Sequence, residues 1–243
     1  MRRLPVLGCL TLAPLLLFRF AGHSDPLPEF PRLMLWAWET PQDLRFIKPG
    51  SAGIAFLART VRLAEGSVRA KPRLQPMLYQ PGVELMAVVR MESAGGGLPA
   101  PADAVRETLT AVASPDVRAL QIDFDARESE RSWYAAFLRD LRNALPARLP
   151  LTITALESWC EEDTWVRGLP VVEATPMLFR MGPGENRSPV GFRSAVCSSS
   201  AGVSTDELPA RVPPARRLYF FHPGSWTPQA YDAAVAQAAR WRK

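Results

Sequence analysis

Apolar runs rich in β-branched and aromatic residues recur along the 243-residue chain, separated by helical or turn-rich segments. Arg32–Glu39 (RLMLWAWE), Ala52–Leu63 (AGIAFLARTVRL), Glu84–Glu92 (ELMAVVRME) and Val117–Ala126 (VRALQIDFDA) predict the first four strands. Pro150–Trp159 and Val171–Gly182 predict a fifth and a sixth, and Arg216–Gly224 a late one. Thr40 is placed to cap a short helix with Pro41 at its first position. Arg73–Gly82 reads as an extended piece and a turn, Ser93–Pro101 as a loop, and Ala102–Ala113 as an amphipathic helix. Ser129–Leu145 gives the clearest helical period, with Trp133, Phe137, Leu138, Leu141 and Leu145 in one stripe. A short helix is expected over Glu161–Leu169. A Gly/Ser/Pro-rich stretch precedes the late strand, and a helix capped by Thr227, with Pro228 at its first position, ends the chain.

Strands alternating with helices predict a parallel sheet. Seven or eight strands in roughly 220 residues suit an α/β fold of the (β/α)8 barrel type, one TIM-barrel-like domain over residues 25–243. An open doubly wound sheet is the other solution, but the G-x-G-x-x-G loop common after its first strand is absent.

Residues 1–24 change the meaning of the charge. Arg2 and Arg3 precede an apolar stretch from Leu4 to Phe18, and a polar, Pro-rich segment follows. This is the layout of a signal peptide, or of a membrane anchor if it is not cleaved. The chain is expected to be periplasmic or secreted, with its mature end near Asp25 and no other membrane contact. Removing this segment takes Arg2, Arg3 and Arg19 and no acids, so the formal charge falls from +5 to +2. No basic run with interleaved aromatics remains, which argues against nucleic-acid binding. The two remaining cysteines, Cys160 and Cys197, show no zinc spacing, and in an oxidising compartment they are expected to pair. A monomer without a cofactor is expected.

In a barrel the C-terminal strand ends form the functional face, and polar and aromatic residues collect there. Trp36, Trp38 and Glu39 end the first predicted strand, Arg90 and Glu92 the third, and Glu157 and Trp159 the fifth. Met177 and Arg180 end the sixth, and His222 ends the late strand with Trp226 just beyond. The fourth ends in Gln121-x-Asp123-x-Asp125, three side chains expected on one face. Two neighbouring carboxylates push each other's pKa apart, so one stays protonated beside an ionised partner, as glycosidic cleavage requires. Asp125 is the expected proton donor and Asp123 its tuning neighbour, with Glu39 or Glu157 as base. Trp36, Trp38, Trp159 and Trp226 would stack on sugar rings, and Arg90, Glu92, Gln121, Met177, Arg180 and His222 would contact substrate. Competing readings remain open. The aspartates could cap a helix or pair with Arg90 or Arg180, Asp123, Asp125 and Glu128 could hold a divalent cation, and His222 could be structural. A barrel that binds glycan or protein without catalysis is the rival functional class.

The blocks WAWETPQDLRFI, GIAFLARTV, LQIDFDARESER, LTITALESWC, PMLFRMG and GVSTDE, spread over Leu33–Trp226, resemble a secreted bacterial family known as domain of unknown function 3142. That resemblance implies a TIM-barrel-like fold and no established activity. The fourth strand also resembles that of family-18 glycoside hydrolases, which ends D-x-x-D-x-D-x-E. Aligned by strand face, Asp125 stands where that family has its acid Glu and Gln121 where it has an Asp. Asp for Glu shortens the side chain by one methylene.

Overall fold

A computed structural model describes residues 25–161, 163, 165–180 and 191–242. The expected export segment, residues 1–24, lies outside them. No described helix is long and apolar enough to cross a membrane.

The strands expected from the sequence form β1 (Leu33–Ala37), β3 (Gly53–Ala64), β6 (Leu85–Ser93), β7 (Val117–Asp123), β8 (Leu151–Leu156), β9 (Glu173–Met177) and β11 (Arg217–Phe221). An eighth, β10 (Ser200–Ser204), comes from the Ser/Gly stretch, where small residues hide the strand pattern. These eight run parallel in the order β1-β11-β10-β9-β8-β7-β6-β3, and β1 pairs back to β3 to close the barrel. Closure leaves no free edge on the ring. The fold is thus the expected α/β barrel.

Its helical layer is thinner than eight repeats would give. Helices α1 (Pro101–Leu109) and α2 (Arg131–Ala144) follow β6 and β7, the short α3 (Glu157–Glu161) follows β8, and α4 (Pro228–Trp241) follows β11. Thr227 caps α4 by accepting from the Ala230 N–H, with Pro228 in the first turn. Phe137, Leu138 and Leu141 of the α2 stripe are buried against Leu120, Ile122 and Ile153 on the outer face of the strands.

Two local expectations are corrected. Thr40–Ile47 forms no helix. The Gln42 N–H bonds to the Pro76 carbonyl at 2.9 Å, so β2 (Gln42–Asp43) pairs instead with β5 (Met77–Leu78). The Arg73 guanidinium takes the Thr40 carbonyl at 2.6 Å, the first acceptor of a helix capped there, and the Trp38 carbonyl at 2.5 Å. The fifth strand stops at Leu156, so Glu157 and Trp159 sit on α3 rather than on a strand end. A hairpin also went unread: β4 (Ser67–Pro72) folds back antiparallel on β3 through Glu65–Gly66, with Gly66 at φ +62°.

The barrel interior is closed at its N-terminal end by residues preceding β1. Leu27 and Phe30 pack beneath Met34, Ala55, Met86 and Tyr219. Arg217, the first residue of β11, fastens this plug: its guanidinium bonds to the Leu27 carbonyl at 2.7 Å, the Pro31 carbonyl at 3.2 Å and Asp25 at 3.2 Å. It also meets the fully buried Glu173 at 3.0 Å, and Glu173 accepts further bonds from the Tyr219 and Ser199 hydroxyls. Burial pushes the Glu173 carboxyl up, and Arg217 pulls against it. Outside the barrel, Cys160 on α3 and Cys197 are bridged, with Cα atoms 5.8 Å apart.

Arg217→Ala should cost about 3–5 kcal/mol in urea unfolding, since it strips the buried Glu173 of its cationic partner and the plug of its anchor. Glu173→Gln should cost less than Arg217→Ala, because Arg217 keeps Asp25 and its carbonyl partners. The disulfide closes a loop across 37 positions. Its reduction should lower stability by up to about 4 kcal/mol, and alkylation without reductant should find neither thiol free.

Candidate functional site

The C-terminal strand ends surround a cleft of about 360 Å³. Strand register explains its floor. Arg90, Asp123 and Thr154 are direct neighbours across β6, β7 and β8 and are brought side by side at one level. The Thr154 hydroxyl donates to Asp123 Oδ1 at 2.8 Å, and Arg90 Nη1 stands 3.6 Å from Oδ2. Asp125 lies just past the end of β7 and lines the same cleft from the rim, exposed to solvent.

The environment sets the protonation of this pair. Burial pushes the Asp123 carboxyl up to about 6, and the charge of Asp125 adds to the rise, while the Thr154 hydroxyl and Arg90 pull it down. Asp125 is raised too, by desolvation among the cleft walls, with Arg90 opposing. The charge of Asp125 thus bears on Asp123, whereas Asp125 itself is governed by burial and by Arg90.

Aromatic rings wall the cleft. Trp36 is almost fully buried as its back wall; Trp38, Phe179 and Phe221 stand nearer the opening. Phe179 and Phe221 are stacked, 5.8 Å between centroids, and Trp38 meets Phe221 edge to face at 5.9 Å. The Arg90 and Arg180 guanidinium groups lie over Trp38 and Phe221, each 5.5 Å from the ring centroid. Trp36 is locked from behind. Its Nε1 donates to Gln121 Oε1 at 2.8 Å, and Gly202 leaves room for the ring, since a Cβ there would stand 2.9 Å from Cη2. Arg180 adopts φ +55°, a left-handed conformation costly for a residue with a side chain. Its N–H is held by Glu207 at 3.0 Å.

The structure therefore brings Trp36, Trp38, Arg90, Asp123, Asp125, Glu157, Met177 and Arg180 to one cleft. It places the other candidates elsewhere. Gln121 is buried one level below, supporting Trp36. Trp159 is in the outer core, edge-on to Trp165, because α3 begins before it. Trp226 is buried and donates to the Trp36 carbonyl at 2.8 Å. His222 pairs its Nδ1 with the Thr205 hydroxyl at 2.7 Å and packs on Trp226. Glu39 and Glu92 line an adjoining groove, where Glu39 accepts from the Leu74 N–H and Glu92 is bracketed by Arg62 and Arg90. Among the described residues no three His, Cys, Asp or Glu side chains are grouped to hold a metal ion. Thr154, Phe179 and Phe221 were missed. Thr154 follows from strand register alone, and the two phenylalanines from the alternation of β11 and the residues just past β9.

Fold and site define a closed parallel barrel with an acidic, aromatic-walled cleft at its C-terminal face. Residues 83–175 match the family model described as Domain of unknown function (DUF3142). That is a narrower span than the resemblance blocks suggest. It contains Arg90, Asp123, Asp125, Thr154 and Glu157 but none of the aromatic walls. No curated protein and no solved structure matches the chain.

Asp123 makes a pH-dependent demand on the fold. An acid raised from 3.8 to about 6 binds its proton more tightly in the folded state than in the unfolded one. Its contribution is therefore most favourable below pH 3.8 and is lost as pH rises through 6. Asp123→Asn should stabilise the fold at pH 7.5 by on the order of 1–3 kcal/mol, seen as a raised melting temperature. The difference from wild type should shrink as pH falls toward 4, as melting curves across that range would show.

Proposed function

We propose that the cleft binds a carbohydrate and hydrolyses a glycosidic bond. The observation that carries this reading is a carboxyl group with a pKa near 6 beside a second carboxylate in an aromatic-walled cleft. Hydrolysis needs one group to protonate the leaving oxygen and another to activate water or attack the anomeric carbon. Asp125, raised by desolvation and exposed at the rim, protonates the glycosidic oxygen as the bond to the anomeric carbon breaks, with Asp123 as the tuning carboxyl beside it. Glu157, just past the end of the neighbouring strand β8, accepts a proton from the water that attacks that carbon. Trp38, Phe179 and Phe221 offer their rings to the apolar faces of sugars. The non-catalytic alternative has one observation in its favour: Arg90 lowers both aspartates and so works against keeping either protonated.

The expected outcome is specific to each residue. Asp125→Asn should lower turnover by about 10²-fold or more while leaving oligosaccharide binding nearly unchanged, because the amide keeps the shape and cannot give up a proton as an acid. Asp123→Asn should chiefly displace the pH profile. Reducing-sugar release and calorimetric binding, measured on one oligosaccharide panel for all three proteins, check both. Equal turnover of Asp125→Asn and wild type would reject catalysis here, and bound but uncleaved oligosaccharides would identify a binding protein.

A further inference from the structure

The cleft continues sideways onto a basic shelf. Beyond a bulge between Leu57 and Arg59, β3 and β6 run past the barrel mouth, and β4 adds a third strand. Register places Lys71, Thr60 and Arg90 in one row across the three strands, and Arg69, Arg62 and Glu92 in the next. Residues two apart share a face. Val61 and Leu63 are buried on the other side, so this face is turned to solvent. It lines a groove of about 660 Å³ that meets the cleft at Trp38, Arg90 and Arg180.

The charge on this face is unbalanced. Glu92 is held by Arg62 at 3.0 Å and Arg90 at 3.1 Å. Among the described residues Arg69 and Lys71 have no ion-pair partner. Arg62 and Arg69 are direct cross-strand neighbours, an arrangement that like charges make unfavourable. Protection of an edge strand explains cations on β4. It does not explain why they continue on β3, on β6 and at Arg180 around the cleft opening. An anion lying along the shelf would offset the repulsion. Arginine also suits planar carboxylates, which it can bind through two parallel N–H donors.

Resting on the carbohydrate reading above, we propose that the ligand is an acidic glycan bearing uronate carboxylates. Its charged units lie on the shelf formed by Arg62, Arg69 and Lys71, and Arg90 and Arg180 guide the chain into the cleft. There a sugar ring packs against the aromatic walls, beside the guanidinium groups that already cover one face of Trp38 and of Phe221. The acidic floor repels a carboxylate, so a charged unit is held to the side while the scissile bond sits over Asp125.

The test is calorimetric titration of hexagalacturonate, neutral cellohexaose and a hexaglutamate peptide into wild type and into the Arg69→Ser/Lys71→Ser variant. Both replaced residues are exposed on the hairpin surface, and an unchanged melting temperature shows that the hairpin is kept. Hexagalacturonate should bind more tightly than the other two and weaken as salt rises. The variant should lose roughly tenfold in affinity for it, the order expected for two exposed charge contacts, with cellohexaose unaffected. Equal affinity for the two sugars, equal affinity for the peptide, or no loss in the variant would overturn the shelf while leaving the carbohydrate reading standing. Failure to bind either sugar would overturn both.

Discussion

The molecule depends on a buried cation at the base of its barrel. Arg217 reaches from the last strand into the segment that leads into the first, and its partners lie nearly the whole chain length away in sequence. β1 pairs with both β3 and β11, so it is the closing strand of the ring. Holding the plug before β1 therefore fixes the strand whose C-terminal end carries Trp36. The cation is tolerable because Glu173, Asp25 and the plug carbonyls accept its hydrogen bonds, while the Tyr219 and Ser199 hydroxyls donate to the remaining acceptor capacity of Glu173. Without that set of partners, burial would drive the Glu173 carboxyl to its protonated form and leave Arg217, which keeps its charge, as an unpaired buried cation.

From base to mouth, the barrel axis changes from a satisfied ion pair to a contested one. At the base, Glu173 has direct donors on both oxygens. In the middle, Gln121 is matched with the Trp36 indole. At the mouth, Asp123 has one hydroxyl donor, a longer contact to Arg90 and a competing carboxylate. The strain in protonation is concentrated where ligand can enter, and the rigid ring of strands below allows it to persist. Such a trade of stability for chemical readiness is common at functional sites.

Most of the ring was legible because parallel strands buried on both faces leave continuous apolar runs, as in Leu33–Ala37 and Leu85–Val89. β10 was not, since Ser200, Gly202 and Ser204 face an interior too crowded for larger side chains. The β3–β4 hairpin was hidden because Arg69 and Lys71 give β4 the composition of a loop, although Glu65–Gly66 marked the turn. The carboxylate pair was legible from spacing alone. What spacing could not supply was depth. Trp159 and Trp226 look like Trp38 in sequence, yet α3 begins early enough to bury one, and the turn after β11 buries the other outside the strands, bonded to the Trp36 carbonyl. Glu39 and Glu92 fail to reach the cleft for a related reason: β1 ends before Glu39, and β6 carries Glu92 outward beyond the mouth.

Gly202 shows where ligand size is decided. The back wall of the cleft is Trp36, and the position of that ring depends on the absence of a side chain on the neighbouring interior surface. A single methyl at residue 202 would meet the indole edge, and the ring would have to yield toward the open side. The space available to a ligand is therefore governed by a residue that no ligand touches. Gly202 is not itself part of the cleft lining, so reshaping the cleft and changing its acids are separate mutational problems.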